Sequence, residues 1–187
     1  MEIKTCDIEG LKIIQLKLLG DSRGFFVERY HAARFAEAGL PTDFVQDNHS
    51  RSAPNILRGL HYQHTPPQGK LVGVTRGCVW DVAVDIRSNS PTFGKYHAVE
   101  LSGDNGVLFW IPAGFAHGFC VLGDEPADML YKVSGLYNAQ GEGGIKFDDK
   151  ELGIAWPVKN PIISERDKNQ QSWKDYCNNP PQWRLHE

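Results

Sequence analysis

The chain has 187 residues, 41% hydrophobic and 23% charged, a composition that suits one unit over 1–187 with a core large enough to do without disulfide staples. A net charge of −3 with scattered basic residues argues against an electrostatic nucleic-acid or membrane-surface binder. No apolar run approaches a membrane span and the start, Met1 to Leu11, lacks the apolar stretch of a secretory signal, so a cytoplasmic protein is expected.

In chain order, Leu11 to Leu19 alternates imperfectly and reads as a strand. His31 to Gly39 is the one clear helix, rich in Ala, Arg and Glu and stopped by Gly39-Leu40-Pro41. Lys70 to Thr75 reads as a strand that turns at Arg76-Gly77. Val79 to Ile86 alternates well, with Trp80, Val82, Val84 and Ile86 on one face and Asp81, Ala83 and Asp85 on the other. Tyr96 to Leu101, Val107 to Ile111 and Ala116 to Leu122 continue the pattern, and Asp104-Asn105-Gly106 is a turn. Short strands at regular spacing imply an all-β sandwich or barrel. After about Asn138 the chain turns rich in Gly, Asp and Pro, as expected of a loop-rich tail, with room for a short helix, packed on the barrel. Cys6, Cys78, Cys120 and Cys177 form no CxxC pair and no zinc spacing; Cys78 and Cys120, in apolar runs, read as buried free thiols.

Three segments are more polar than folding demands: Gly20 to Glu28, Gln46 to Lys70, and Trp110 to Phe119. The third carries Pro, two Gly and His117, and resembles the second half-motif of the cupin barrels, many of which bind a metal. The first half-motif of that pattern has two His one residue apart and a nearby Glu. Here the stretch is Gly59-Leu60-His61-Tyr62-Gln63-His64, followed by Lys70. Strand positions three apart face opposite sides, so His61 and His64 are not expected to share an ion, and a fixed ammonium is a poor neighbour for one. No metal and no cofactor is expected.

The runs RGFFVE, QDNHS, LRGLHYQ, PPQGK, DVAVDIR, PTFG, IPAGFAHGF, LYK, LGIAWP and ISERD occur in order from about residue 20 to residue 167. Together they resemble the successive motifs of the dTDP-4-dehydrorhamnose 3,5-epimerase family, the RmlC-like cupins. The resemblance implies a cupin jelly-roll barrel, a metal-free inversion at C3 and C5 of a nucleotide-linked 4-keto sugar, and a homodimer in which N-terminal strands complete the partner's sheet. Leu11 to Leu19 is compatible with the last point.

Such a reaction needs a base beside the ketone, a donor for the developing enolate oxygen, and an acid on the opposite ring face. His61 matches the family's catalytic base, and a neutral imidazole suits that task near pH 7. Asp167 resembles its orienting partner, Lys70 the enolate-stabilising group, and Tyr131 the proton donor. Arg23, Glu28, Gln46, Asp47, Asn48, Arg58, Lys70, His117, Glu142 and Arg166 match positions that contact the nucleotide sugar. Phe26, or Phe25, is expected to stack on the base, in reach of a neighbouring subunit's site. Tyr137 departs from the pattern: the family often has two Tyr here, and this chain has Leu136-Tyr137. That leaves inversion at a single carbon as the alternative, with a metal-dependent cupin enzyme or a non-catalytic sugar binder behind it.

Overall fold

The computed structural model describes residues 1–183, so the last four positions of the expected 1–187 unit lie outside the described residues. The elements are β1 (Glu2–Thr5), β2 (Lys12–Gln15), β3 (Leu19–Asp21), β4 (Gly24–Phe26), α1 (Ala32–Glu37), β5 (Gln46–Ser52), β6 (Leu57–Gln63), β7 (Lys70–Arg76), β8 (Cys78–Asp85), β9 (Tyr96–Ser102), β10 (Val107–Ile111), β11 (Phe115–Leu122), β12 (Ala127–Val133), β13 (Glu142–Gly144), α2 (Glu165–Lys168) and α3 (Trp173–Asn178). They form a six-stranded sheet, β1-β2-β10-β7-β12-β5, facing a five-stranded sheet, β13-β6-β11-β8-β9, with β3-β4 as a separate hairpin. This is the all-β jelly-roll architecture expected, with antiparallel pairing throughout both sheets. No helix among the described residues is long and apolar enough to cross a membrane.

The alternation of β8 now has a direction. Val79 and Ala83 enter the core between the sheets with Val72, Val74, Phe109, Phe119 and Met129. Trp80, Val82, Val84 and Ile86 face outward, where Ile145, Leu152, Trp173 and Tyr176 from the C-terminal segment cover them. Both faces of β8 are buried, and the face with the aspartates is the inner one. On the other side of the molecule, Phe35 of α1 and Leu40 cap the outer face of the six-stranded sheet over Ile14, Leu71 and Leu108.

Three expectations need correction. The strand expected over Leu11–Leu19 is two: β2 ends at Gln15, the Leu16 N–H bonds to Gly106 O, and the chain leaves the sheet for the β3-β4 hairpin. Here β1 and β2 pair within their own chain's sheet. Besides the helix expected after the N-terminal strands, the described residues hold two more, α2 and α3, in the tail where room for one was read. Ser164 and Ser172 cap α2 and α3 through their hydroxyls, and helices of four and six residues are too short to show a hydrophobic period. The first helix begins at Ala32, with His31 as its N-cap, and stops before Gly39 at φ 65°. Cys120 is buried and Cys78 only partly so; all four thiols are free.

One irregularity sets up the interior. Along the β6–β11 pairing, Arg58 lies opposite Phe119 and His61 opposite His117, so β6 carries one residue more than its partner. Such a bulge lets two residues three apart face the same side. It sits at Gly59, φ 118°, where an added Cβ would lie 2.6 Å from the Gly118 Cα and 2.8 Å from His117 O. Only glycine tolerates both the dihedral and the approach. Gly59→Ala should therefore cost at least about 1–3 kcal/mol of stability, read as a lower urea midpoint; an unchanged midpoint would show that the bulge accommodates a side chain.

Candidate active site

At one end of the sandwich the two sheets part around a cavity of about 250 Å³. The five-stranded sheet contributes Arg58 and His61 from β6, His117 from β11 and Glu142 from β13; the six-stranded sheet contributes Lys70 from β7, Tyr131 from β12 and Asn48 and Ser50 from β5. These residues share the inner face by register: Tyr131 lies opposite Asn48 and Val72, and Lys70 opposite Val133.

His61 Nε2 lies 2.6 Å from Asp167 Oδ1. The two are 106 positions apart, and the segment before α2 brings them together by bridging Ile162 to Ile56 at the start of β6. The Ser164 hydroxyl accepts the Asp167 N–H, fixing the first turn of α2. The other Asp167 oxygen accepts the Gly59 N–H at 3.4 Å. Burial pushes the Asp167 carboxyl up, but His61, the Gly59 amide and Ser164 outweigh it and hold the carboxyl below the usual range. The second ring nitrogen of His61 has no bonded partner among the described residues, and the side chain is about a quarter exposed, towards the cavity. An imidazole held this way can take a proton from a guest.

A second imidazole–carboxylate pair lies deeper. His117 Nε2 is 2.9 and 3.0 Å from the two oxygens of Asp81, which is fully buried. Burial raises the Asp81 carboxyl, opposed by His117 and Lys70. Asp81 was legible only as one residue of an alternating strand; its place opposite an apolar face, beside the small Ala83, is the signal that the inner side there is a site. Burial also lowers the Lys70 ammonium to about 8, with Glu142 and Asp81 acting in the opposite direction. The Tyr131 hydroxyl bonds to Ser50 Oγ at 3.0 Å, and burial lifts the phenol to about 12.

At the mouth, the Arg166 guanidinium pairs with Glu142 at 2.7 Å, and the exposed Tyr137 donates its hydroxyl to the same carboxylate at 3.0 Å. Gln46 accepts the Tyr137 N–H and donates to Asn48. The Arg58 guanidinium is braced by Ser52 and Arg51 O. Of the residues singled out from sequence, Asp47, Arg23, Phe26, Glu28 and His64 are not brought to this cavity. Asp47 points to the outer face of its sheet and pairs with Lys132. Arg23 sits on the hairpin, paired with Asp21 and 87% exposed. Phe26 and Glu28 line a separate groove with Leu16, Leu19 and Phe35. His64 is turned away from His61 and meets Thr65 and Trp183; among the described residues, no three His, Cys, Asp or Glu side chains are grouped to hold a metal ion.

A model of the family described as dTDP-4-dehydrorhamnose 3,5-epimerase matches residues 5–175. The dTDP-4-dehydrorhamnose 3,5-epimerase of Shigella flexneri is 50% identical over 177 residues, 94% of this chain and 97% of that protein. The dTDP-4-dehydrorhamnose 3-epimerase of Streptomyces niveus is 39% identical over 171 residues, 90% of this chain and 82% of that protein. The crystal structure of dTDP-6-deoxy-D-glucose-3,5-epimerase RmlC from Legionella pneumophila, in complex with dTDP-4-keto-L-rhamnose, superposes with a TM-score of 0.89 at 47% identity, covering 96% of this chain and 94% of that one.

The depressed Lys70 ammonium has a consequence for stability. The unfolded chain holds that proton more tightly, so Lys70 opposes folding below about pH 8, and the opposition fades as pH rises from about 8 to 10.5. Lys70→Met should raise the urea midpoint at pH 7, and the gain should shrink across that window; a pH-independent gain would mean Lys70 is no more desolvated than a surface lysine.

Proposed function

The chain belongs to the dTDP-4-dehydrorhamnose 3,5-epimerase family, and we propose on that premise that it converts dTDP-4-dehydro-6-deoxy-D-glucose to dTDP-4-dehydro-L-rhamnose, with His61 as base and Tyr131 as acid. The observation that carries the residue assignment is the His61–Asp167 pair opening onto the same cavity as Tyr131, from the opposing sheet. Asp167 orients the ring and stabilises the imidazolium once His61 has taken the C3 or C5 proton. The Lys70 ammonium holds the C4 oxygen as it becomes an enolate. The Tyr131 hydroxyl returns a proton to the other face of the carbon, inverting it. Arg58, Asn48, Gln46, His117, Tyr137, Glu142 and Arg166 surround the sugar and diphosphate, the guanidinium groups facing the phosphates. No metal or cofactor is needed for this proton chemistry, and the cytoplasm, where nucleotide sugars are made, is the proposed location.

Inversion at one carbon is the second reading, favoured by the exposed Leu136-Tyr137 pair at the rim, where the family often has two Tyr. Turnover of the 4-keto sugar in deuterated water decides between them. Deuterium at both C3 and C5 is expected, and His61→Ala should lower incorporation by about 10²–10⁴-fold while nucleotide binding persists. Label at one carbon only would give the second reading, and full incorporation by His61→Ala would remove His61 as base.

The remaining residues support a reading in which the hairpin serves a partner's site. Phe25 and Phe26 are 50% and 68% exposed, more than isolated surface aromatics need be, and Arg23, Glu28 and Asp47 face solvent near them or at the sheet edge. We read the active unit as a homodimer in which the hairpin of one copy, with Arg23, Phe26 and Glu28, closes the nucleotide end of the other's cavity. Chains with His61→Ala co-expressed with chains carrying Arg23→Ala and Phe26→Ala should form mixed dimers more active than either parent, since one of the two sites is then intact. Mixed dimers no better than the parents would confine each site to one chain.

A further inference from the structure

Inversion leaves a proton imbalance. Each turn puts the substrate's proton on His61 and takes a different one from Tyr131, so a second inversion, or a second turnover, requires the phenolate to be reprotonated and the imidazolium to be discharged. His61 is open to the cavity and can release its proton there. Tyr131 is enclosed. Among the described residues its hydroxyl has one bonded partner, Ser50 Oγ at 3.0 Å, and Tyr131 is in turn the sole side-chain partner of that hydroxyl.

Of the other groups around the phenol, Lys70 is committed to the C4 oxygen in the reaction given above, and three more are poor sources of the proton. The Asn48 carbonyl accepts the Gln46 amide, and an amide gives up no proton at neutral pH. The Arg58 guanidinium keeps its protons and is engaged by Ser52 and Arg51. Asp81 is bonded to His117. Ser50 is placed differently: it is half-buried, lines the cavity, and lies on β5, the edge strand of its sheet, one inner-face position along from Asn48. A hydroxyl can donate and accept at once.

We propose that Ser50 is the positioning residue that aims the Tyr131 hydroxyl and returns its proton. The proposal rests on Tyr131 being the acid of the reaction given above. After Tyr131 has protonated the carbon, the Ser50 O–H passes its proton to the phenolate oxygen and takes one from solvent in the cavity. The proton lost by the substrate leaves through His61. One proton enters and one leaves per inversion, and no electrons move.

The test separates proton removal from inversion. The 4-keto sugar is incubated in deuterated water with the unaltered enzyme, Ser50→Ala, Ser50→Thr and Tyr131→Phe. Label in recovered starting sugar reports removal by His61, and label in inverted product reports delivery by Tyr131. Ser50→Ala should keep exchange within about threefold and lose at least about tenfold in inversion, and Ser50→Thr, which restores the hydroxyl, should recover most of the loss. Inversion unchanged in Ser50→Ala, exchange falling in step with inversion, or no recovery with Thr would each overturn the role. Tyr131→Phe keeping full inversion would instead remove Tyr131 as the acid, a failure distinct from that of Ser50.

Discussion

The 2.6 Å contact between His61 and Asp167 is the constraint around which much of the molecule is arranged. A carboxylate only 3% exposed is costly to bury unless it is paired and hydrogen-bonded. Its donors come from three separate segments: the ring of His61, the amide of Gly59 at the bulge, and the cap of Ser164 on α2. Each depends on something else. The His61 ring faces inward in company with Arg58 because β6 is bulged, the bulge forms because Gly59 and Gly118 lack side chains, and α2 is in reach because Ile162 docks on Ile56. The C-terminal segment thus both seals the outer face of the five-stranded sheet and delivers the acid that orients the imidazole.

The same logic explains why one end of the inter-sheet space is polar. Lys70, Asp81 and His117 lie within the sandwich, and each answers part of another's desolvation: Asp81 takes His117 directly and favours the ammonium of Lys70 from farther off. An apolar core would bind no sugar. A single uncompensated charge would not stay ionised, so the charges come as a group, with the apolar cluster of Val72, Phe109 and Met129 filling the rest of the interior.

The strands from Lys70 to Leu122 could be read from alternation and turn chemistry, since local pattern and tertiary burial agree there. β5 was visible as chemistry and not as a strand: its inner face offers Asn48 and Ser50 to the cavity, so it has no apolar stripe to give the period away. The facing direction of β8 was also hidden, because both of its faces are covered and the covering residues come from beyond Ile145. His61, Lys70, Tyr131 and Asp167 were singled out from motif order, and the geometry groups them. Asp81 and Ser50 escaped notice because each matters only through a neighbour on another strand, His117 for one and Tyr131 for the other. Arg23, Phe26 and Glu28 carry the same family pattern yet lie away from the cavity of their own chain, as residues must if they serve another copy.

Inverting a carbon needs a base and an acid that approach from opposite sides, and neither can swing across a bound sugar. A two-sheet sandwich meets this need by construction. The proposed base stands on β6 of one sheet and the proposed acid on β12 of the other, with the cavity between them. The proposed enolate partner, Lys70, stands on β7, the strand beside β12, so the ammonium and the phenol belong to one wall and the imidazole to the facing one. Both walls are held by antiparallel ladders and a packed core, so the separation of acid from base is set by the spacing between sheets and not by a moving loop. At the rim Tyr137 and Arg166 meet on the Glu142 carboxylate.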